Sequence, residues 1–222
     1  MDRLEKIAQR LVGPVVCDVG TDHGRIPLLA LHREDITKVI ATDISEKSLE
    51  KCRIAIQDHP RKDAVELVVT DGLVGIDTTE LSTIVITGMG GHTIMGILEG
   101  AVQEGKPLSH LILSPQKGEE EVRRYLHEHG FTIEEDTWIF DAGKFYTLMR
   151  AVPGKQVYEE AIYYRYGKQA VEERNPVLLM WLAKQIQMKE EILATKRMQY
   201  EQRLELMRDI KKRKEEYNAI LA

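Results

Sequence analysis

Four acids and a run of glycines carry whatever chemistry this chain performs. The first cluster is Asp18-Val19-Gly20-Thr21-Asp22-His23-Gly24. It departs from the dinucleotide-binding pattern G-x-G-x-x-G, because Asp22 stands where the second glycine would let a pyrophosphate approach the backbone. A carboxylate there repels a pyrophosphate and accommodates a cation. An ordinary strand–helix turn that binds nothing fits the same glycines. Asp43 follows Gly20 by 23 residues, the spacing at which an acid accepts hydrogen bonds from the two vicinal hydroxyls of a ribose. A helix N-cap is the other use of an acid there, since Ser45 and Glu46 open a helix. Asp71-Gly72-Leu73 and Gly88-Met89-Gly90-Gly91 come next. Three glycines in four residues allow a ligand close to the backbone, and a plain turn rarely needs so many.

Each cluster sits at the end of a strand pattern. The apolar, β-branched run from Val15 ends at Asp18 and Gly20, and Pro27 falls in the first turn of the helix that follows to about Leu31, where its missing N–H has no partner to lose. Residues 37–43, 64–73, 81–87 and 110–116 read as further strands. Helices are expected over residues 2–12, 45–57 and 119–129, with another beginning at Ile94. Residues 131–140 and 144–152 flank a turn at Asp141-Ala142-Gly143, the pattern of a β-hairpin. Five βα units and a closing hairpin predict an α/β sandwich whose sheet is buried on both faces. The tips at Gly20, Asp43, Asp71 and Gly88 then line one edge, where open α/β sheets bind ligands.

The chain's 222 residues allow one domain and an appendage. With 43% hydrophobic and 30% charged residues it has a globular, not a disordered, composition. No apolar run approaches the roughly 20 residues of a membrane span, and Met1-Asp2-Arg3-Leu4-Glu5-Lys6 has no signal-peptide core. A cytoplasmic protein without a membrane partner is expected. Cys17 and Cys52 read as reduced and structural, and the scattered histidines give no metal-ligand spacing. The net charge of −5 is uneven: residues 176–222 hold ten basic and seven acidic side chains, a balance of +3, which leaves −8 on the remainder. An anionic partner would therefore be met by local patches. In the tail Leu179, Ile186, Leu193, Tyr200, Met207 and Leu221 keep a seven-residue spacing that only Lys214 breaks, while the second stripe is mixed. One long helix or a helical hairpin turning near residues 195–202 satisfies that pattern. Lys211-Lys212-Arg213-Lys214 is either a solvated helix face or an RNA contact.

Arg3-Leu4 with Ile7-Ala8, the Asp18 to His23 cluster with Pro27, Asp71-Gly72-Leu73, Gly88-Met89-Gly90-Gly91, and Leu111-Ile112-Leu113 with Pro115 occur in this order over residues 1–150. As a set they resemble the bacterial tRNA (adenine-N1) methyltransferases that act at tRNA position 22, the TrmK family. That family usually writes Ala-Tyr where Gly24-Arg25 stand and Gln-Pro-Asn where Ser114-Pro115-Gln116 stand. The resemblance implies a Rossmann-like class I methyltransferase sandwich over residues 1–154, a seven-stranded sheet with an antiparallel last strand. It also implies a coiled-coil-like α-helical domain over residues 155–222, folded as an antiparallel hairpin. S-adenosylmethionine is the implied cofactor and tRNA the implied partner, with no metal, in a monomer or weak homodimer.

Residue by residue, the resemblance implies that Asp18 and Gly20 shape the methionine pocket and that Asp43, with Ile44 beside it, takes the ribose. Asp71, with Gly72 and Leu73, would meet the adenine amino group, and Asp22, Gly88 and Met89 would complete the cofactor site. Gly90 and Gly91 would present backbone to the target base where related enzymes place an aromatic clamp. Arg3, Arg25, Lys211 and Lys212 would contact the tRNA. Adenine N1 carries an in-plane lone pair, so no proton need leave first, and alignment is the main requirement. A carboxylate would stabilise the base as it becomes cationic. Asp22 is the candidate, with His23 to orient it; capping of the next helix is the other reading of Asp22. Two rival functions remain on this fold. A methyltransferase of another RNA or of a small molecule is one, although a small molecule leaves the basic tail without purpose. A non-catalytic RNA-binding module is the other, and it would not need Asp43, Asp71 and the glycine loop together.

Overall fold

Val15–Val19 (β1) is buried along most of its length, as expected of the central strand of a sheet covered on both faces. The computed structural model describes residues 2–222. The chain forms two compact units, one running through Val157 and the other spanning Tyr158–Ala222. In the first, β1 is joined by Lys38–Asp43 (β2), Val65–Val69 (β3), Thr83–Thr87 (β4), His110–Ser114 (β5), Phe131–Asp141 (β6) and Lys144–Pro153 (β7). The seven strands lie in the order β3-β2-β1-β4-β5-β7-β6. The first five are parallel, and β7 inserts antiparallel between β5 and β6. The chain adds β2 and β3 on one side of β1 and then crosses to add β4 on the other, which creates the crevice at which such sheets bind ligands.

The helices of this unit are Arg3–Ala8 (α1), Arg25–Leu31 (α2), Glu46–Ile56 (α3), Gly91–Gln103 (α4) and Glu119–Glu128 (α5). Asp2 and Glu5 form a reciprocal capping box that starts α1. That helix stops four residues short of the expected end. The N–H groups of Arg10 and Leu11 donate three residues back, to Ile7 and Ala8, and the Arg10 guanidinium turns outward to the Glu135 carboxylate. Ile7, Ala8 and Leu11 nevertheless pack with Ile26, Val39, Val85 and Ile112 in one apolar core.

Three further expectations are corrected. β3 ends at Val69, not at residue 73, because Gly72 turns the chain with φ +59° and the Val74 N–H bonds back to the Asp71 carbonyl. The segment from there to β4 holds only a short 3₁₀ turn, Thr78–Glu80, so one of the five βα units lacks its helix. α4 begins at Gly91, three residues before the expected start.

The second unit comprises Ala161–Tyr166 (α6), Lys168–Glu172 (α7), Pro176–Thr195 (α8) and Tyr200–Leu221 (α9). Asn175 caps α8 by accepting from the N–H groups of Val177 and Leu178. α8 and α9 run antiparallel, tied by Lys189 to Asp209 at 2.9 Å and Lys214 to Glu190 at 2.6 Å, with the Arg213 guanidinium 5.5 Å from the Trp181 ring centre. Among the described residues no helix is long and apolar enough to cross a membrane.

Candidate functional site

The loop after β1 is folded back on β2. The N–H groups of Gly20 and Thr21 both donate to the Thr42 carbonyl, at 2.8 and 3.0 Å. Gly20 has φ +78°, a backbone conformation that disfavours any other residue, and the tip of the Met89 side chain lies over it. Asp18, only 4% exposed, lies beneath this loop. Burial pushes its carboxyl up to about 7; the Thr21 hydroxyl offsets part of that rise and the nearby Asp43 charge adds to it. The Thr21 hydroxyl is buried beside the Asp18 carboxyl and the Cys52 thiol.

At the tip of β2, Asp43 Oδ1 accepts from the Ser45 N–H at 2.8 Å. Ser45, not Asp43, is the N-cap of α3, which removes the capping alternative for Asp43. Its second oxygen has no partner among the described residues. Ile44 beside it is 75% exposed, an apolar platform next to a free acceptor. Asp22 is not a cap either: Gly24 holds that position of α2 and no side chain bonds there. Asp22 Oδ1 instead accepts from Lys51 Nζ at 2.7 Å, and Oδ2 lies 3.0 Å from His23 Nε2. The Lys51 hydrogen bond holds the Asp22 carboxyl below the ordinary carboxylate range.

Beyond β4, the Gly88 N–H bonds to the Ser114 carbonyl at 3.3 Å and the Gln116 N–H to the Met89 carbonyl at 2.9 Å. These bonds join the tips of β4 and β5. Gly91 is buried, and a Cβ on it would lie 2.7 Å from the Gly118 carbonyl oxygen. Close backbone packing therefore explains this glycine. Gly90 backs onto the Lys117 side chain.

A cleft of about 480 Å³ runs along these tips. It gathers Asp18, Gly20, Asp22, His23, Asp43, Ile44, Gly88 and Met89, with Arg3 and Arg25 at its side. Gly90 and Gly91, expected at the target base, are not part of its lining. Asp71 and Leu73 line a neighbouring hollow of about 380 Å³ beside α4, while Gly72 faces β2, its carbonyl accepting from the Thr42 hydroxyl at 3.2 Å. Lys211 and Lys212 are exposed on α9, in the other unit. Arg25 forms an ion pair with Asp2. Among the described residues no cluster of His, Cys, Asp and Glu could hold a metal.

Thr21, Lys51 and Gln116 are site residues that the sequence did not single out. Thr21 and Gln116 lie inside or beside quoted motifs, so proximity to the glycines was an available signal. Lys51 comes from 29 residues further on and had none. The donor set suits a nucleoside bearing a positive charge. Asp43 offers the free acceptor for a diol, Ile44 an apolar face and Asp18 a buried acid.

The family described as a methyltransferase domain matches residues 1–149. The chain is 26% identical over 153 residues to the tRNA (adenine(22)-N(1))-methyltransferase of Bacillus subtilis, an alignment that covers 68% of this chain and 64% of that protein. A Mycoplasma pneumoniae relative is 28% identical over 134 residues, 60% of its length. The chain thus spans under two thirds of each of these relatives. Among solved structures, a Streptococcus pneumoniae protein, provisionally named a tRNA (m1A22) methyltransferase and crystallised with S-adenosyl-L-methionine, is 29% identical. It superposes with a TM-score of 0.85 over 98% of this chain and 100% of that one. The B. subtilis m1A22 tRNA methyltransferase TrmK has the same fold, with a TM-score of 0.80 at 23% identity over 99% of this chain and 97% of that one.

Proposed function

This chain belongs to the methyltransferase-domain family, and we propose that it transfers a methyl group from S-adenosylmethionine to N1 of the adenine at tRNA position 22. The observation that carries this reading is the cleft at the tips of β1, β2 and β4, where Asp18, Thr21, Asp43 and Ile44 form a binding surface for a cationic nucleoside. The likeness to a protein crystallised with that cofactor, over nearly the whole chain including the helical unit, supports it.

The cleft divides by chemistry. At the β2 end, Asp43 Oδ2 accepts from the ribose while Ser45 fixes the carboxylate through Oδ1. At the β1 tip, the backbone of the Gly20 turn faces the methionine portion, and Asp18 beneath it offers a carboxylate to that portion's ammonium group. The cofactor supplies an electrophilic methyl group, which the lone pair of adenine N1 can take without prior loss of a proton. The target base enters from the β4 and β5 end, beside Gly88, Met89 and Gln116. Because N1 lies on the pairing edge, the base must be unpaired or flipped. Asp22, kept ionised by Lys51, stabilises the positive charge that the base acquires. The helical unit carries the exposed Lys211 and Lys212 and serves the tRNA, which is far larger than the cleft.

The test is transfer of labelled methyl from S-adenosylmethionine to total bacterial tRNA, followed by nucleoside analysis. 1-Methyladenosine is the expected product. Label in another nucleoside, or none in tRNA, would contradict the reading.

A further inference from the structure

We propose that Arg3 is a phosphate clamp, held ready on the ring of Tyr146 to grip the backbone of the nucleotide whose base enters the cleft. This inference rests on the tRNA reading above. Three observations carry it.

The first is position. The strand order places Asp43 and Ile44 on β2, Asp18 and Gly20 beyond β1, Gly88 and Met89 beyond β4, and Ser114 at the end of β5. With neighbouring strands about 4.8 Å apart, the cleft extends roughly 14 Å from β2 to β5. Arg3 lies at the β5 end, where one guanidinium nitrogen donates to Ser114 Oγ at 3.3 Å. It is thus at the far end from the ribose acceptor, where the second substrate has to enter.

The second is support. β7 pairs with β5 through Leu113 and Met149, so Tyr146 lies three residues further along β7, roughly 10 Å past that pair. The projecting strand makes a wall, and the Arg3 guanidinium stands 4.4 Å from the Tyr146 ring centre. Tyr146 is itself anchored on the apolar core. One face of the guanidinium is covered, one donor is engaged, and the other donors remain in their planar fork.

The third is charge. Arg10, Arg25, Arg33, Arg53 and Arg123 each pair with a carboxylate. Arg3 is half-buried and makes no contact ion pair among the described residues: a hydroxyl and an aromatic face touch it, while the Asp2 and Asp141 carboxylates act on it from beyond salt-bridge distance. A cation here would oppose charge development on an adenine that becomes cationic, so the base itself is the wrong ligand. A phosphodiester supplies an anion in direct contact, in a geometry that matches the fork.

The experiment measures binding of an unmodified tRNA transcript with adenine at position 22, across a potassium chloride series, for wild type, Arg3→Ala and Arg3→Lys. Calorimetry with S-adenosylmethionine accompanies it as a check on the fold. Loss of one phosphate contact should reduce the slope of log affinity against log salt by about one unit in Arg3→Ala. Affinity should fall about tenfold at low salt, with cofactor affinity unchanged within about twofold. Arg3→Lys should keep the slope, since the charge remains, and lose part of the affinity, since the fork is gone. Equal slopes and affinities in wild type and Arg3→Ala would overturn the clamp even if wild type methylates the transcript. An Arg3-dependent slope without methyl transfer would support the clamp and contradict the methyl-transfer reading instead. Failure of the wild type to bind the transcript would overturn both.

Discussion

Asp22 and Lys51 meet at 2.7 Å at the lip of the cleft, one on the loop after β1 and the other on α3. Both side chains are about half exposed or more, so the pair adds little to stability. On the proposed function its use is electrostatic: Lys51 keeps Asp22 ionised as the charge partner of the base. Asp22→Asn should therefore lower turnover about tenfold, the effect of removing roughly 1.4 kcal/mol of charge stabilisation, while cofactor affinity changes less than about twofold. Single-turnover methylation at saturating tRNA measures the first quantity and calorimetry the second. A wild-type rate in Asp22→Asn removes Asp22 from the mechanism.

Asp43 has one oxygen tied to the Ser45 N–H and the other free. Asp43→Ala removes a charged acceptor, so S-adenosylmethionine binding should weaken by roughly 1.5–3 kcal/mol, or about 10- to 150-fold. An unchanged dissociation constant would show that the ribose is held elsewhere.

Asp18 gives a pH dependence with a definite sign. Its carboxyl, raised by burial to about 7, keeps its proton in the folded protein at pH values where the unfolded chain has lost it. The resulting stabilisation is complete below the unfolded value and disappears as pH rises toward 7. Asp18→Asn should flatten this part of the stability profile in thermal melts from pH 5 to 8. A cationic cofactor prefers the ionised acid, so binding should release a proton and tighten by roughly fivefold from pH 6 to 7 in wild type. The dependence should be smaller in Asp18→Asn. Parallel profiles for the two proteins would mean that Asp18 titrates outside this range.

Gly91 is a test of packing, not of ligand contact. A methyl group at this position meets the Gly118 carbonyl at 2.7 Å and the Lys117 carbonyl at 3.0 Å, and backbone cannot swing aside as a side chain can. Gly91→Ala should destabilise the protein by about 1–3 kcal/mol. Chemical denaturation reads this directly, and an unchanged midpoint would show that the α4 start and the 117–118 loop separate freely.

That glycine shows where the sequence was legible and where it was not. The strand-then-acid-then-glycine pattern at Asp18 and Gly20, and the acid at Asp43, are local features whose geometry follows from the few residues around them. A third glycine in a run also announces close approach, but not of what. For Gly91 the approaching group is the Gly118 carbonyl, brought near only by the pairing of β4 with β5. Lys51 reaches Asp22 across the packed sheet edge for the same reason. The helical tail is a different case. Its heptad stripe fits one helix or two, and no glycine or proline marks the break. What marks it is the capping box between Gln199 and Gln202, which opens α9, a local signal open to reading.

Lys211, Lys212 and Lys214 of the basic run are exposed and Arg213 is half-buried. Arg213 and Lys214 are turned to Asp209 and Glu190, and Lys211 has only Glu215 at 3.8 Å. Replacing Lys211 and Lys212 together with Glu should reduce the salt dependence of tRNA binding by up to about two units of slope and leave cofactor affinity and melting temperature unchanged. An unaltered slope would make α9 a packing element.

The most direct measurement compares two transcripts of one tRNA that differ only at position 22, adenine in one and guanine in the other, with labelled S-adenosylmethionine and purified protein. Stoichiometric labelling of the adenine transcript is expected, recovered as 1-methyladenosine at position 22, with background labelling of the guanine transcript. Equal labelling of both, or label at another position, would contradict the proposed function.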